Sequence, residues 1–576
     1  MLGRLRKLLC SDAFQRRAWL AVIIAVLGAY KVIRSYYLDV TGTDGGYYLD
    51  VASHIRDGRG ILSNCSILYA AYPEFPFPAA VYPLWPLLIG LVAKAFPMFE
   101  TGKWLATACY FGTLGFAYLW GRALYPRRLV AGLPGFNAGH VLALMFGLHD
   151  YFFIYTSQPY TEGLTFALTC AALWRMTRLL PRPTWWGGLE VGAWLGLIIL
   201  ARYQMVLLAM AVFPVLAAAS VLSSGPRRDY AIMTACAAVA LLLVVGPHYL
   251  FVASFTPNLT PASYVQWQRV RFRDVLSPIP DVLQVKGTWP WIVDRWRGVR
   301  IAFGSEFGAN SYGVRFHTFH YALVPAIPLV LLLGVLNASR TKVRLAWRWL
   351  RRPRNLNWIF VVCFAGGSLL MIHSMHMDRK LYPEWYFGQR HALVCMFAFF
   401  LSLLLLLAQK RFPWKLIGIV ILCGGVYMGL PKVRKHALAV EGKRPSGADA
   451  ALVEWLNHEA EARDDLIVAY RQPQLLAYRT PRVGYHWYYR HTVLKDIRAM
   501  VDKLGAAYVI VPPKPVFPFQ RGDGFLDSFE LVKTIAGTRI YKPRASVGGP
   551  AAAPDSFEPP ESADSPDSSA DDPREE

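Results

Sequence analysis

Apolar runs of membrane-spanning length recur along three quarters of the chain, separated by short polar connections in which arginines and lysines cluster. A hydrocarbon layer of about 30 Å takes roughly 20 helical residues to cross, and within it every backbone polar group has to be satisfied inside the helix. The pattern predicts a polytopic α-helical membrane protein. Basic clusters mark the cytoplasmic ends of spans: Arg4/Arg6/Lys7/Arg16/Arg17, Arg122/Arg127/Arg128, Arg175/Arg178/Arg182, Arg227/Arg228, Lys342 through Arg354, and Lys410/Arg411/Lys415. With each cluster inside, spans fall near 18–38, 104–121, 129–148, 161–179, 186–204, 205–223, 230–253, 321–337, 357–373, 391–409 and 414–430. That makes about eleven transmembrane helices, with a cytoplasmic N-terminus and an extracytoplasmic C-terminal region.

The run Tyr82–Phe99 is left out of this count. It is short, is broken by Pro83, Pro86, Lys94 and Pro97, and counting it would turn Arg122, Arg127 and Arg128 outward. It reads as an interfacial or re-entrant helix on the outer surface. The division that follows is a membrane region over 1–430, an extracytoplasmic α/β domain over 431–545 and a disordered acidic tail over 546–576. The membrane region holds a first outer loop at 41–99 with interfacial helices, and a large outer loop at 254–320 rich in arginine and tryptophan. In the C-terminal domain the pattern predicts a helix at Ala448–Glu461, a strand at Leu466–Tyr470, a helix at Val493–Leu504, a strand at Ala507–Val511 and a strand pair within Glu530–Tyr541. The tail is too rich in Pro, Ser, Asp and Glu to bury a core.

Composition sharpens this picture in three ways. The chain has 576 residues, 55% of them hydrophobic, and a formal net charge of +23. That charge sits in short loops between spans, where it records orientation, and no basic face for nucleic acid is built. The eight cysteines (Cys10, Cys65, Cys109, Cys170, Cys236, Cys363, Cys395 and Cys423) are scattered, mostly inside apolar runs, with no CxxC pair or His/Cys cluster, and read as packing residues. After the first apolar run comes Lys31-Val-Ile-Arg34 with no small-residue cleavage site, so the run reads as a retained span.

Ionisable residues then collect at the outer ends of spans. Asp44 follows the first span. His149 and Asp150 end the third, and Glu162 opens the fourth. Arg202 lies near the outer end of the fifth, and Lys380, Tyr382, Glu384 and Arg390 line the loop HSMHMDRKLYPEWYFGQRH. Charge at membrane depth is costly and is kept for a partner or a function. Arginine grips phosphate through a planar fork, which makes Arg202 and Arg390, with Lys380, candidate ligands for a phosphodiester. A carboxylate aimed at an acceptor hydroxyl removes its proton as a new bond forms, a role that suits Asp44. Tyr47 and Tyr48 follow it on the same short helix. Asp50 and Asp57 read as the solvated face of that helix. Asp44 also reads as an N-cap for it, Glu162 as a cap of the fourth span, and the arginines as head-group contacts. His149, His373, His376 and His391 read as hydrogen-bonded interfacial residues. The sequons Asn64-Cys-Ser and Asn258-Leu-Thr matter only in a secretory-pathway host.

Several of these segments together resemble the GT-C membrane glycosyltransferases, in particular the branch of protein O-mannosyltransferases and lipid A aminoarabinose transferases. They are D-x-x-Y-Y-x-x-x-A (Asp44, Tyr47, Tyr48, Ala52) with the following GRGI, then YPLWPLLIGL at Tyr82–Leu91, and YTEGL with Glu162. GAWLGLIILARYQ with Arg202 and FGQRHAL with Arg390 complete the set. The resemblance implies a polyprenyl-phosphate sugar donor, an inverting single displacement onto an acceptor hydroxyl of a protein, lipid or glycan at the outer face of the plasma membrane, and Asp44 as the catalytic carboxylate. It puts Glu162 and Asp150 on the acceptor or a metal, Arg202, Arg390 and Lys380 on the donor phosphate, and Tyr47, Tyr48, Tyr382 and Glu384 along the substrate. Family members differ in metal use, which leaves room for a divalent metal ion between Asp44 and Glu162. The chain departs from the mannosyltransferase branch at Asp44-Gly45, where Asp-Glu is usual, and at His391, where Tyr is common. The alternative is a transporter or flippase for a lipid-linked or anionic substrate. It calls for polar residues at mid-membrane and internal repeats, and no repeat is evident in the sequence.

Overall fold

The computed structural model describes residues 11–38, 43–66, 76–79, 81–125, 129, 133–202, 205–222, 227–255, 396–408, 412–439, 447–462, 466–470, 474–487, 501–502, 505–511 and 528–544. The expected spans at 321–337 and 357–373, the large loop beyond residue 255, the tail, and the candidates Lys380, Tyr382, Glu384 and Arg390 lie outside the described residues.

Helix α1, Asp12–Tyr36, starts on Ser11, whose Oγ accepts from the Phe14 amide, and carries Asp12 and Arg34 at the ends that suit the helix dipole. Helix α2 is Thr43–Arg56. Three two-residue strands follow: β1 Leu62–Ser63, β2 Cys65–Ser66 and β3 Phe77–Pro78, with β1 antiparallel to β3. Helix α3 is Leu84–Val92, nine residues or about 14 Å long at the helical rise, too short to cross a membrane. The long α4, Met98–Leu124, comes next.

Helix α5, Ala138–Leu148, is shorter than the span expected at 129–148. The reason is local: Pro134-Gly135 turns the chain, Gly135 has φ +76°, and Asn137 caps the helix, its Oδ1 accepting from the Gly139 amide while His140 Nδ1 accepts from the Asn137 amide. Helices α6 Asp150–Tyr155, α7 Thr161–Leu179, α8 Trp185–Ala201, α9 Val206–Leu222 and α10 Arg227–Phe255 follow, then α11 Met396–Leu407 and α12 Phe412–Leu438. Helix α12 runs through Pro431 and past the boundary expected at 430. Among the described residues, three helices are long and apolar enough to cross a membrane: Asp12–Tyr36, Arg227–Val252 and Pro413–Leu438.

Helices α1 and α4 to α12 share one core, with Leu27, Tyr110, Trp120, Phe146, Phe166, Leu195, Met233 and Phe397 all buried in it. Helix α8 lies against α10 through small residues. A Cβ at Gly188 or Gly192 would strike the backbone carbonyl of Met233 or Ala237, so glycine is what admits the close approach.

The C-terminal part contributes α13 Gly447–Glu461, β4 Ile467–Tyr470, the short α14 Gln474–Ala477, β5 Gly484–Trp487, β6 Tyr508–Val511, β7 Phe529–Ile535 and β8 Thr538–Pro543. A six-stranded sheet runs in the order β2-β5-β4-β6-β8-β7. Its first four strands are parallel and the last two pair antiparallel. Strands β4 and β6 are buried along their whole length, as the middle of a covered parallel sheet requires. The strand expected at Leu466–Tyr470 is β4 and that at Ala507–Val511 is β6, while β7 and β8 form a hairpin whose turn, Ala536-Gly537, has positive φ at both positions. Strand β2 comes from the first loop, so the sheet joins segments from opposite ends of the chain.

Candidate active site

A second packed cluster brings the first loop, the helix ends and the sheet together. Tyr47, Tyr48, Leu49, Val51 and Ala52 of α2 share it with Trp85 and Ile89 of α3, Ala106 of α4, Leu164 of α7, Ala201 of α8, and Val468, Tyr485 and Tyr508 of the sheet. Each large apolar side chain buried this way contributes about 1.5–3 kcal/mol, which fixes α2 firmly. Asp44 lies in the first turn of α2, half-buried, where the helix dipole favours a carboxylate. Thr43 opens the helix, so Asp44 stands inside the first turn and not at an N-cap. Tyr47 and Tyr48 are buried with their rings 6.3 Å apart.

Glu162 and Arg202 lie in the same neighbourhood and are bonded to each other. Helices α7 and α8 are consecutive in the chain, so the start of α7 and the end of α8 meet. Glu162 in the first turn of α7 accepts from Arg202 Nη1, just past α8, at 2.7 Å, and both side chains are buried. The acid sits at a helix N-terminus and the cation at a C-terminus, so both dipoles reinforce the pair. The sequence assigns these two residues to different ligands; the structure makes each the other's partner. Asp150 is the first residue of α6, directly after His149, which is buried and whose Nδ1 accepts a long bond of 3.4 Å from the Phe152 amide.

The turn leading into Glu162 is held from two sides by residues outside the sequence-derived set. Trp85 Nε1 donates to Pro159 O at 2.9 Å. Lys31, on α1 and fully buried, donates to Phe153 O, Thr156 Oγ1 and Ser157 Oγ, each at 2.7 Å. Its ammonium also faces the rings of Tyr110 and Phe153 at 4.9 and 5.1 Å. Glycine at 102 lets the groups converge: a Cβ there would meet Pro159, Leu49 of α2 and Ile89 of α3. The available signal for Lys31 is a lysine within the span expected at 18–38, the kind of charge that membrane depth keeps for a reason.

Asp50 corrects the sequence reading. Expected on a solvated face, it is completely buried, because α2 is covered on one side by α3 and α4 and on the other by the sheet and α14. Burial pushes its carboxyl up to about 7, against the lowering effect of hydrogen bonds from Ser63 and Asn64. Asp57 is exposed, as expected, and pairs with Arg56 at 2.8 Å and Arg59 at 3.0 Å, which hold its carboxyl below the usual range. The sequon residue Asn64 is buried with its side chain bonded to His54 and Ala477, which closes it to modification in the folded chain. Among the described residues no group of three or more His, Cys, Asp or Glu is placed to hold a metal ion. Glu162, which with Asp44 is the pair the sequence offers for one, gives Oε1 to Arg202.

No family model and no curated protein matches the chain. Solved structures do. The oligosaccharyltransferase of Archaeoglobus fulgidus, tethered with an acceptor peptide containing the NVT sequon, superposes with a TM-score of 0.51 at 10% identity, covering 85% of this chain and 69% of that one. The fold is GT-C. Archaeal AglB from the same organism, in complex with an inhibitory peptide and a dolichol-phosphate, gives 0.48 at 10% identity over 85% and 69% of the two chains. ArnT from Cupriavidus metallidurans, bound to undecaprenyl phosphate, gives 0.41 at 14% identity over 93% and 99%.

Proposed function

We propose that the protein is an inverting glycosyltransferase that moves a sugar from a polyprenyl-phosphate carrier to an acceptor hydroxyl at the outer face of the plasma membrane, its N-terminus cytoplasmic. The observation that carries this reading is the packing of α2, with Asp44 half-buried in its first turn, in one cluster with Leu164 and Ala201, the neighbours of the Glu162–Arg202 pair, in a chain with the GT-C fold. The carrier comes from the sequence resemblance.

In the proposed step the acceptor oxygen attacks the anomeric carbon from the face opposite the phosphate. Asp44 takes the hydroxyl proton, the bond from the anomeric carbon to the phosphate oxygen breaks with its electron pair, and the lipid phosphate leaves with the configuration inverted. Arg202, held by Glu162, is assigned to the leaving phosphate through its planar guanidinium, with Arg390 and Lys380 as further ligands. Preset donors of this kind act where charge develops and need no reorganisation during the reaction. Tyr47, Tyr48, Tyr382 and Glu384 are assigned to the substrate walls, and Asp150 to the acceptor. The transporter reading calls for polar groups at mid-span; here the buried acid and cation lie at helix ends.

The test is glycan analysis by mass spectrometry in cells lacking the protein, complemented with wild type or Asp44→Asn at equal membrane levels. Wild type is expected to restore one envelope glycan that Asp44→Asn does not. Full restoration by Asp44→Asn overturns the assignment.

A further inference from the structure

Asp50 is a buried carboxyl that the proposed chemistry does not use. Its Oδ2 accepts from Ser63 Oγ and from the Asn64 amide, both at 2.7 Å, while Oδ1 has no hydrogen-bond partner among the described residues. Ser63 Oγ in turn accepts from the Cys65 amide at 2.9 Å. One turn along α2, His54 Nε2 meets Asn64 Oδ1 at 2.9 Å. Asn64 then reaches the other way: Nδ2 donates to Ala477 O at 3.1 Å, and its carbonyl accepts from the Tyr485 amide at 2.7 Å. Cys65 and Ser66 continue as β2, the outermost strand of the sheet, opposite Tyr485 and His486.

A two-residue edge strand buries too little to hold itself in register. What holds β2 is this run of bonds, and every one on the α2 side ends on Asp50 or His54.

We infer that Asp50 is a positioning residue that clamps α2, and with it Asp44, to the C-terminal sheet through Ser63 and Asn64. The clamp stands on geometry alone; its bearing on sugar transfer rests on the function proposed above. It gives the sheet a task, which is to fix the helix that presents Asp44.

The charge state of the clamp is also defined. The titratable groups around Asp50 are His54 on its own helix, pushed down to about 4 by burial, Arg59 in the turn beyond, Cys65 on β2 and Tyr485 on β5, both pushed well up by burial. Asp50, raised to about 7, changes charge near neutrality. A carboxyl raised on folding binds its proton more tightly in the folded state, so the contribution of Asp50 to the clamp grows as pH falls from about 7 toward the ordinary carboxylate range, while that of His54 opposes it below about 6.5.

The experiment is amide hydrogen exchange on the full-length protein in detergent between about pH 5 and 8, corrected for intrinsic rates, alongside the glycan complementation assay. Asp50→Ala is expected to lower protection of peptides covering 62–66 and 484–487 about tenfold while α4 and α7 keep theirs, and to reduce transfer. Asp50→Asn, whose Oδ1 accepts the same two bonds without charge, is expected to rescue protection relative to Asp50→Ala and to lose the part of the wild-type pH dependence in which protection is gained on acidification. Wild-type protection at those peptides in Asp50→Ala overturns the clamp, as does unaltered pH dependence in Asp50→Asn, which stands even where Asp50→Ala does not fold. Lost protection with undiminished transfer overturns the positioning role. Asp44→Asn gives the separate control: full transfer in that variant removes the glycosyltransferase reading and leaves the exchange result intact.

Discussion

Arg202, at the end of α8, donates from Nη1 to Oε1 of Glu162, in the first turn of α7, at 2.7 Å with both side chains buried. Two charges out of water are tolerated together, and each alone is not. Removing one partner of such a pair costs about 3–5 kcal/mol, whereas replacing both with neutral groups of similar volume costs much less. Glu162→Gln and Arg202→Met are each expected to lower stability in detergent by about 3 kcal/mol. The double variant is expected to lose at least about 1 kcal/mol less than the two losses added. Additive losses in a thermal-unfolding cycle would rule out the direct pair.

Lys31 gives a prediction about shape. Its three acceptors, each at 2.7 Å, surround one nitrogen, as a tetrahedral ammonium requires. A planar guanidinium is longer and cannot direct three bonds to one point, so Lys31→Arg is expected to be no better than Lys31→Met. The loss in Lys31→Met is expected to be about 1–3 kcal/mol, moderated because Thr156 and Ser157 keep bonds to Phe152 O and Phe153 O. Unfolding midpoints of the two variants, measured side by side, check the order. Stability restored by arginine would show that charge alone matters there.

How much of this was legible in the sequence depends on the range of the forces involved. Helix α7 occupies 161–179 as expected, because its apolar run ends at polar residues that also end the helix. Helix α5 is shorter than its apolar window, since averaging over 129–148 hides the cap at Asn137. Asp44, Glu162 and Arg202 stood out as charges beside apolar runs, but their pairing depends on which helix ends meet, and a residue's spacing in the chain does not give that. The burial of Asp50 escapes a sequence pattern for a clearer reason. An amphipathic pattern assumes one wet face, and the second face of α2 is covered by segments such as Ala477, 413 residues beyond Asn64.

The hairpin turn between β7 and β8 holds the one non-glycine residue with positive φ among those described, Ala536 at 45°, beside Gly537 at 85°. An L-residue with a Cβ is strained in that region, and glycine is not. Ala536→Gly is expected to stabilise the C-terminal sheet by about 0.5–1 kcal/mol, since relief of the strain outweighs the added freedom of the unfolded chain. Local hydrogen exchange across 529–543 measures it. Faster exchange in the variant would place the turn in another conformation.

The pH dependence of stability around α2 combines two opposed groups. Asp50 is raised from 3.8 to about 7, so its contribution is fully present below about 4 and is lost as pH rises through 7. His54 is lowered from 6.5 to about 4, so its contribution is present above 6.5 and is lost as pH falls toward 4. Between about pH 6.5 and 4 the two slopes cancel in part, and the wild type is expected to change little. Asp50→Asn removes one slope and exposes the other: its stability is expected to fall on acidification across that window. His54→Gln, which still reaches Asn64, does the reverse and is expected to gain stability on acidification. Unfolding midpoints at half-unit pH intervals separate the cases. Parallel profiles for the wild type and both variants would mean that neither side chain changes its proton affinity on folding, and that the polar seam between α2 and the sheet is held without pH-linked groups.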